Sequence, residues 1–339
     1  MPAKPTTIQR RALAVLAAAT LAAPRLVWAQ TSSRTLRIGI LAGDTTMPGE
    51  EQALKEGLRA HGFVEGRNLV IERGFAQTRL QELPGKARAL AASQLDAVIA
   101  TCTPTTRLAQ QVFGNTPTST PIVMAAVADP VGQQLISSLA RPGANVTGRA
   151  SQAEDLMGKQ LELMAQVLGK PTTVAVLTDV NSAVHPRMFA KLAAVAPRLR
   201  LELVKVESGW RPGNASLSDA FDSAVRQQAG AVMVLPDEPF FIAKRADIVA
   251  LAARHRVPAF YGVREFVDAG GLMSYGENLN AAYRSVADYL SRIAAGAKPG
   301  DLPVAQPTQF ELVINTRTAK SLGVTLPQSV LLSANELVE

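Results

Sequence analysis

At 339 residues the chain exceeds one typical domain, and 47% hydrophobic with 19% charged residues gives it enough apolar mass for two cores, which excludes disorder over the whole chain. The net charge of +7 overstates its basicity: Lys4, Arg10, Arg11 and Arg25 lie in the first 29 residues, which hold no Asp or Glu, and the remainder carries +3. That balance gives no ground for a nucleic-acid partner, since no run of Lys and Arg is interleaved with aromatics, and the lone Cys102 excludes an intramolecular disulfide.

The chain opens as an export signal would. Arg10-Arg11 precede an apolar run over 12–23, Pro24-Arg25 break it, and Val27-Trp28-Ala29 offers small residues at the −3 and −1 positions before Gln30. Residues 1–29 are therefore predicted to be a signal peptide, cleaved near Ala29, and the product to be periplasmic. The arginine pair permits the twin-arginine route as well as the Sec route. The apolar run falls short of the ~20 residues a spanning helix needs. No cysteine follows the cleavage site to carry a lipid.

From residue 36 the pattern alternates between short apolar runs and longer helical segments. Strands are predicted at 36–41, 69–72, 97–100 and 121–126, with helices at 50–61, 80–93 and 105–113 between them. After a helix at 153–168 the cycle restarts, with strands at 173–177, 201–206, 231–235, 259–261 and 272–274. The helices of this half are 183–196, 217–228 and 242–255. Two consecutive sets of βα units predict an α/β protein of two Rossmann-like lobes with parallel sheets. Pro142, Gly143 and Gly148 make 141–149 the hinge candidate. The tail adds a helix at 279–295, a Pro/Gly-rich crossing at 298–307, a strand at 310–314 and a helix at 316–322. The lobes are expected to comprise 35–147 with 277–305, and 148–276 with 306–339, joined by a multi-crossover hinge.

Ligands of open α/β sheets bind beyond the carboxyl ends of the strands. The loops there supply the candidates. Asp44 follows the first strand. Thr101, Thr103 and Thr105 put hydroxyls at a helix start, which suits an anion or a plain helix cap. Asp129 suits an ammonium, or caps the next helix. Asn181 follows the first strand of the second set. Asp237 and Glu238 would hold a positive group beside Phe240, Tyr261 and Tyr275, which supply an apolar body, while Arg264 would clamp a carboxylate or pair with Glu265 or a neighbouring acid.

Enzyme signatures are missing. His61, His185 and His255 have no metal-ligand spacing, and there is no phosphate-binding loop, nucleophile elbow or dinucleotide fingerprint. No metal and no cofactor are expected. An exported α/β hydrolase using Cys102 is the alternative, and a ligand-binding sensory module is a third reading.

Several stretches resemble one family: His61-Gly62-Phe63-Val64-Glu65-Gly66-Arg67-Asn68, Leu139-Ala140-Arg141-Pro142-Gly143-Ala144-Asn145-Val146-Thr147-Gly148, Arg264-Glu265-Phe266-Val267-Asp268-Ala269-Gly270-Gly271, and Gln306-Pro307-Thr308-Gln309-Phe310-Glu311-Leu312-Val313. They are similar to ABC-transporter substrate-binding proteins related to the tryptophan/tyrosine-binding group. The resemblance implies a type I periplasmic binding protein fold with three crossovers, no catalysis, a small-molecule ligand such as an amino acid or related small carboxylate, and delivery as a monomer to an inner-membrane ABC permease. The chain departs from the family pattern at Cys102, Ala128 and Asp179-Val180-Asn181-Ser182, all in loops of the predicted cleft.

Overall fold

The computed structural model describes residues 35–339 apart from 44–47, 77–78, 171 and 237–238. The predicted signal peptide, Asp44, Asp237 and Glu238 lie outside the described residues.

The first sheet holds β1 (Leu36–Ala42), β2 (Leu69–Phe75), β3 (Ala97–Ala100), β4 (Ile122–Ala128) and β5 (Val146–Ser151), all parallel, in the order β2-β1-β3-β4-β5. Every residue of β3 is buried, as expected of a central strand covered on both faces. The helices of this half are α1 (Pro48–Ala60), α2 (Leu83–Ala92) and α3 (Thr103–Phe113).

The second sheet repeats the design. It contains β6 (Thr172–Asp179), β7 (Leu201–Ser208), β8 (Ala231–Val234), β9 (Ala259–Tyr261) and β10 (Met273–Gly276). They run in the order β7-β6-β8-β9-β10, the same winding as the first sheet. β11 (Glu311–Asn315) adds antiparallel to β10, and β12 (Glu336–Val338) adds parallel to β11. Edge strand β7 mixes buried and exposed positions, whereas interior β8 is wholly buried. Around the sheet lie α4 (Ala153–Leu168), α5 (His185–Val195), α6 (Leu217–Arg226), α7 (Pro239–Ala243), α8 (Arg245–Arg254) and α9 (Glu265–Asp268).

α10 (Leu279–Ala294) returns to the first sheet. Asn278 caps it by accepting from Ala281 N–H at 2.9 Å. Its buried stripe of Tyr283, Val286, Ala287 and Leu290 packs with Leu54 and Leu58 of α1 in one apolar cluster. The chain thus passes between the sheets after Ser151, after Gly276 and again between Ala305, which bridges to Arg149, and Glu311. α11 (Thr316–Leu322) and α12 (Gln328–Ser333) finish the fold.

The hinge candidate at 141–149 needs correction: from Val146 this segment is β5 itself. Gly148 has φ +118°, and a Cβ there would lie 2.3 Å from the Met124 carbonyl oxygen. The glycine permits close backbone approach within a strand rather than ending one.

Candidate functional site

The two sheets turn the carboxyl ends of their parallel strands toward one cavity of about 600 Å³. Ala42, Thr101, Ala126 and Ser151, at or near the ends of β1, β3, β4 and β5, line one side. Pro236, Gly262 and Glu277, just after β8, β9 and β10, line the other. The volume suits a small organic molecule.

Of the predicted contacts, Thr101 and Arg264 line this cavity. Arg264 is committed elsewhere. Its guanidinium meets Glu336 of β12 at 3.0 and 3.3 Å and Asp268 at 3.3 Å, so two carboxylates hold the fork that was expected to clamp a ligand. Their contacts keep it well above the ordinary guanidinium range. Thr103 and Thr105 are buried, and their hydroxyls donate to the carbonyls of Ala128 at 3.2 Å and Cys102 at 3.0 Å. Thr105 also accepts from Cys102 N–H at 3.0 Å. The Thr105 hydroxyl therefore serves the α3 cap, and the Thr103 hydroxyl ties the start of α3 to the end of β4.

Asp129 stands outside the cavity, at φ +40°. It accepts from Gly132 N–H at 2.9 Å and pairs with Arg187 of α5 at 2.6 Å. Arg187 also reaches Glu154 at 2.7 Å, tying the end of β4 to the second-sheet helices. Asn181 donates its N–H and Nδ2 to Asp179 Oδ1, each at 2.8 Å, and lies off the cavity. Phe240 is core, with its ring 5.5 Å from Phe241. Tyr261 is buried and stacked on Phe266 at 4.5 Å; burial raises its phenol pKa. Tyr275 packs against Phe310 at 6.2 Å, and its carbonyl accepts from Gln160 of α4 at 2.6 Å. The expected aromatic wall is thus spent on packing. Among the described residues, Tyr283 is the aromatic side chain at the cavity.

Sequence reasoning missed the cavity's acids. Glu50, Glu265, Asp268 and Glu277 all line it. Glu265 or a neighbouring acid was expected to pair with Arg264; the neighbouring Asp268 does so, together with Glu336, and burial, followed by the negative charge of Glu50, pushes Glu265 up to about 8. Glu277 follows β10 directly and accepts from Arg149 of β5. Burial raises its pKa, and Arg149 offsets part of the rise. The one sequence cue was position, since Glu277 sits at a strand end in a loop already marked as facing the cleft.

His185 fixes the floor of the second half. Asp179 N–H donates to its Nδ1 at 2.9 Å, so the proton is on Nε2, which donates to the Pro236 carbonyl at 2.9 Å. Burial lowers its pKa from 6.5 to about 4. The unfolded ring gains a proton below 6.5 that the folded ring refuses until about 4. Stability is therefore expected to fall as pH drops between those values, by about 3 kcal/mol in all, and to stop falling on this account below them. Urea midpoints of the native chain and His185→Gln across that range should show this component of the slope missing in the variant.

A fold of two like-wound sheets with a cleft at their carboxyl ends defines a two-lobed binding protein of the type I periplasmic class. The family model for the ABC transporter substrate binding protein matches residues 39–338, and the chain belongs to that family. Such proteins bind solutes and do not transform them, which removes the hydrolase reading of Cys102. A tyrosine-binding protein of Clostridioides difficile is 24% identical over 297 residues, spanning 86% of this chain and 82% of that protein. A conserved domain protein from Vibrio cholerae has a structure of TM-score 0.77 at 26% identity, covering 90% of this chain and 99% of its own. The ABC domain in complex with L-Trp from Streptococcus pneumonia gives 0.76 at 23% identity, covering 89% and 100%.

Proposed function

We propose that the chain is the periplasmic solute-binding component of an ABC importer, capturing an amino acid or related small molecule between its lobes and presenting it, as a monomer, to an inner-membrane permease. The observation that carries this reading is the cavity of about 600 Å³ walled by strand ends from both sheets. A ligand that touches both walls favours the closed arrangement over the open one. The similarity to a tyrosine-binding protein and to a structure holding L-Trp supports the amino-acid class. The leader-like residues 1–29 support export. No helix among the described residues is long and apolar enough to cross a membrane.

A thermal-shift screen against amino acids and small carboxylates tests the proposal. A solute at a thousand times its Kd adds ~4 kcal/mol to stability, which amounts to several degrees in Tm. At least one member of the panel is expected to do this. No shift from any small molecule, together with turnover of an ester or amide, contradicts the proposal.

A further inference from the structure

Among the described residues lining the cavity, the buried polar atoms without a partner are three acceptor oxygens and the Ser151 hydroxyl. Glu277 is 8% exposed; its Oε1 takes the Arg149 guanidinium, while Oε2 is sealed from solvent without a hydrogen-bond partner. Glu265 Oε2 and Asn280 Oδ1 are in the same condition, and both residues line the cavity. All three line the cavity from neighbouring turns. Glu265 opens α9 just beyond β9, Glu277 and Asn280 flank the β10-to-α10 turn, and β9 and β10 are paired. At Glu277 the Nε of its partner Arg149 is an unbonded donor as well, so the independent sign that a donor arrives from outside is Glu265 Oε2, sealed from solvent and unbonded while the charges bearing on Glu265 are negative. A bare acidic cluster would give no such sign.

Charge points the same way. The groups bearing on Glu265 are Glu50 from α1, Asp268 from its own helix and Glu311 from β11, all acidic, with the Tyr283 phenol of α10 in the same field. Of the cavity's arginines, Arg264 is held by Asp268 and Glu336, and Arg245 donates to the Ile242 carbonyl at 2.8 Å; Arg149 is held by Glu277. At the start of α3, where an anion receptor was expected, the Thr105 hydroxyl is engaged in the cap and that of Thr103 by the Ala128 carbonyl. Among the described residues, no group of three His, Cys, Asp or Glu could hold a metal ion. The missing partner is an organic cation with several N–H donors, and a primary ammonium has three.

We propose that Glu265, Glu277 and Asn280 form an ammonium subsite, and that the protein recognises its solute as a primary amine, with the carboxylate of an amino acid dispensable. This rests on the solute-binding reading above. With Glu265 pushed up to about 8 by burial and its acidic neighbours, the empty site is protonated at neutral pH. Capture of an ammonium releases that proton, so affinity rises as pH climbs toward 8.

Calorimetry with matched trios tests it: tyrosine, tyramine and 3-(4-hydroxyphenyl)propionate; tryptophan, tryptamine and indole-3-propionate; lysine, cadaverine and 6-aminohexanoate's deaminated analogue, hexanoate. In at least one trio the amine is expected to bind no more weakly than the amino acid and at least tenfold more tightly than the acid. Glu265→Gln should cost at least tenfold in amine affinity. Glu265→Gln should also raise the Tm of the ligand-free protein at pH 9, because it removes a buried charge that no cation answers. Equal or tighter binding of the acids, or binding confined to solutes without an amine, overturns the subsite and leaves the solute-binding reading standing. A lower ligand-free Tm in the variant overturns the subsite too, since Glu265 would then have a structural partner. If no solute of any class binds, both readings fail.

Discussion

Gly276→Ala is expected to abolish the folded state at ordinary temperature or to cost at least about 4 kcal/mol. A Cβ on Gly276 would sit 1.8 Å from the Gly262 carbonyl oxygen, a backbone atom that no rotamer change can move. Relief requires the chain beyond β9 and the end of β10 to part, which disturbs the strand ends from which Glu265 and Glu277 reach the cavity. Gly158→Ala is the matched control. Gly158 lies within α4, and nothing stands within 4 Å of its would-be Cβ. That change should stabilise by about 0.5–1 kcal/mol through helix propensity and lost unfolded-state freedom. Urea unfolding of the two variants measures both effects. Equal stability of the pair would mean that the close approach at Gly276 is not required.

The second large effect is expected at Arg149. Its side chain is 13% exposed and that of Glu277 8%, and the pair joins β5 of the first sheet to the chain just leaving the second. Arg149→Ala strands a buried carboxylate, a change that typically costs about 3–5 kcal/mol. The cost is pH-dependent with a definite sign. Burial already raises the Glu277 pKa, and removing Arg149 takes away the one influence that lowers it. A carboxyl whose folded pKa lies above its unfolded value binds more protons when folded. The variant should thus lose little at about pH 4 and progressively more as pH rises through the shifted pKa. Replacing both partners, as Arg149→Met with Glu277→Leu, should recover most of the loss, because no charge is left unpaired. Guanidinium melts at pH 4 and pH 8 check the sign.

Most of the fold was legible in the sequence, because buried parallel strands are short apolar runs and amphipathic helices separate them. The helix over Ala153–Leu168 and the strand over Ala259–Tyr261 fall where the pattern placed them. β5 was not legible: Gly148, which ordinarily marks a break, is there because Met124 crowds it. β12 was missed as a short, largely exposed strand without a hydrophobic pattern. β11 was found as a strand, but its antiparallel direction depends on α10 carrying the chain to the other sheet and back.

The site was less legible than the fold. Strand ends could be read, so most of the cavity's walls were placed, although the loops carrying Asp129 and Asn181 lie off it. Which side chains stay free there depends on contacts distant in sequence. Arg264 is taken by Glu336, 72 residues away, and that leaves Glu265 unpaired. The aromatics Phe240 and Tyr261 found partners in the core, and Tyr275 packs with the half-buried Phe310, rather than lining the cleft. Each of these outcomes follows from burial and pairing, which a linear pattern does not specify.

The central claim is that a small molecule is held between the two lobes at the strand ends. Hydrogen exchange with and without the tightest solute from the screen tests it most directly. Slowed exchange is expected in both halves at once, at Gly43 and Thr101-Cys102 on one wall and at Gly262–Glu265, Gly276-Glu277 and Leu279-Asn280 on the other, residues that line the cavity. Protection confined to one half, or to surfaces away from these strand ends, would contradict it.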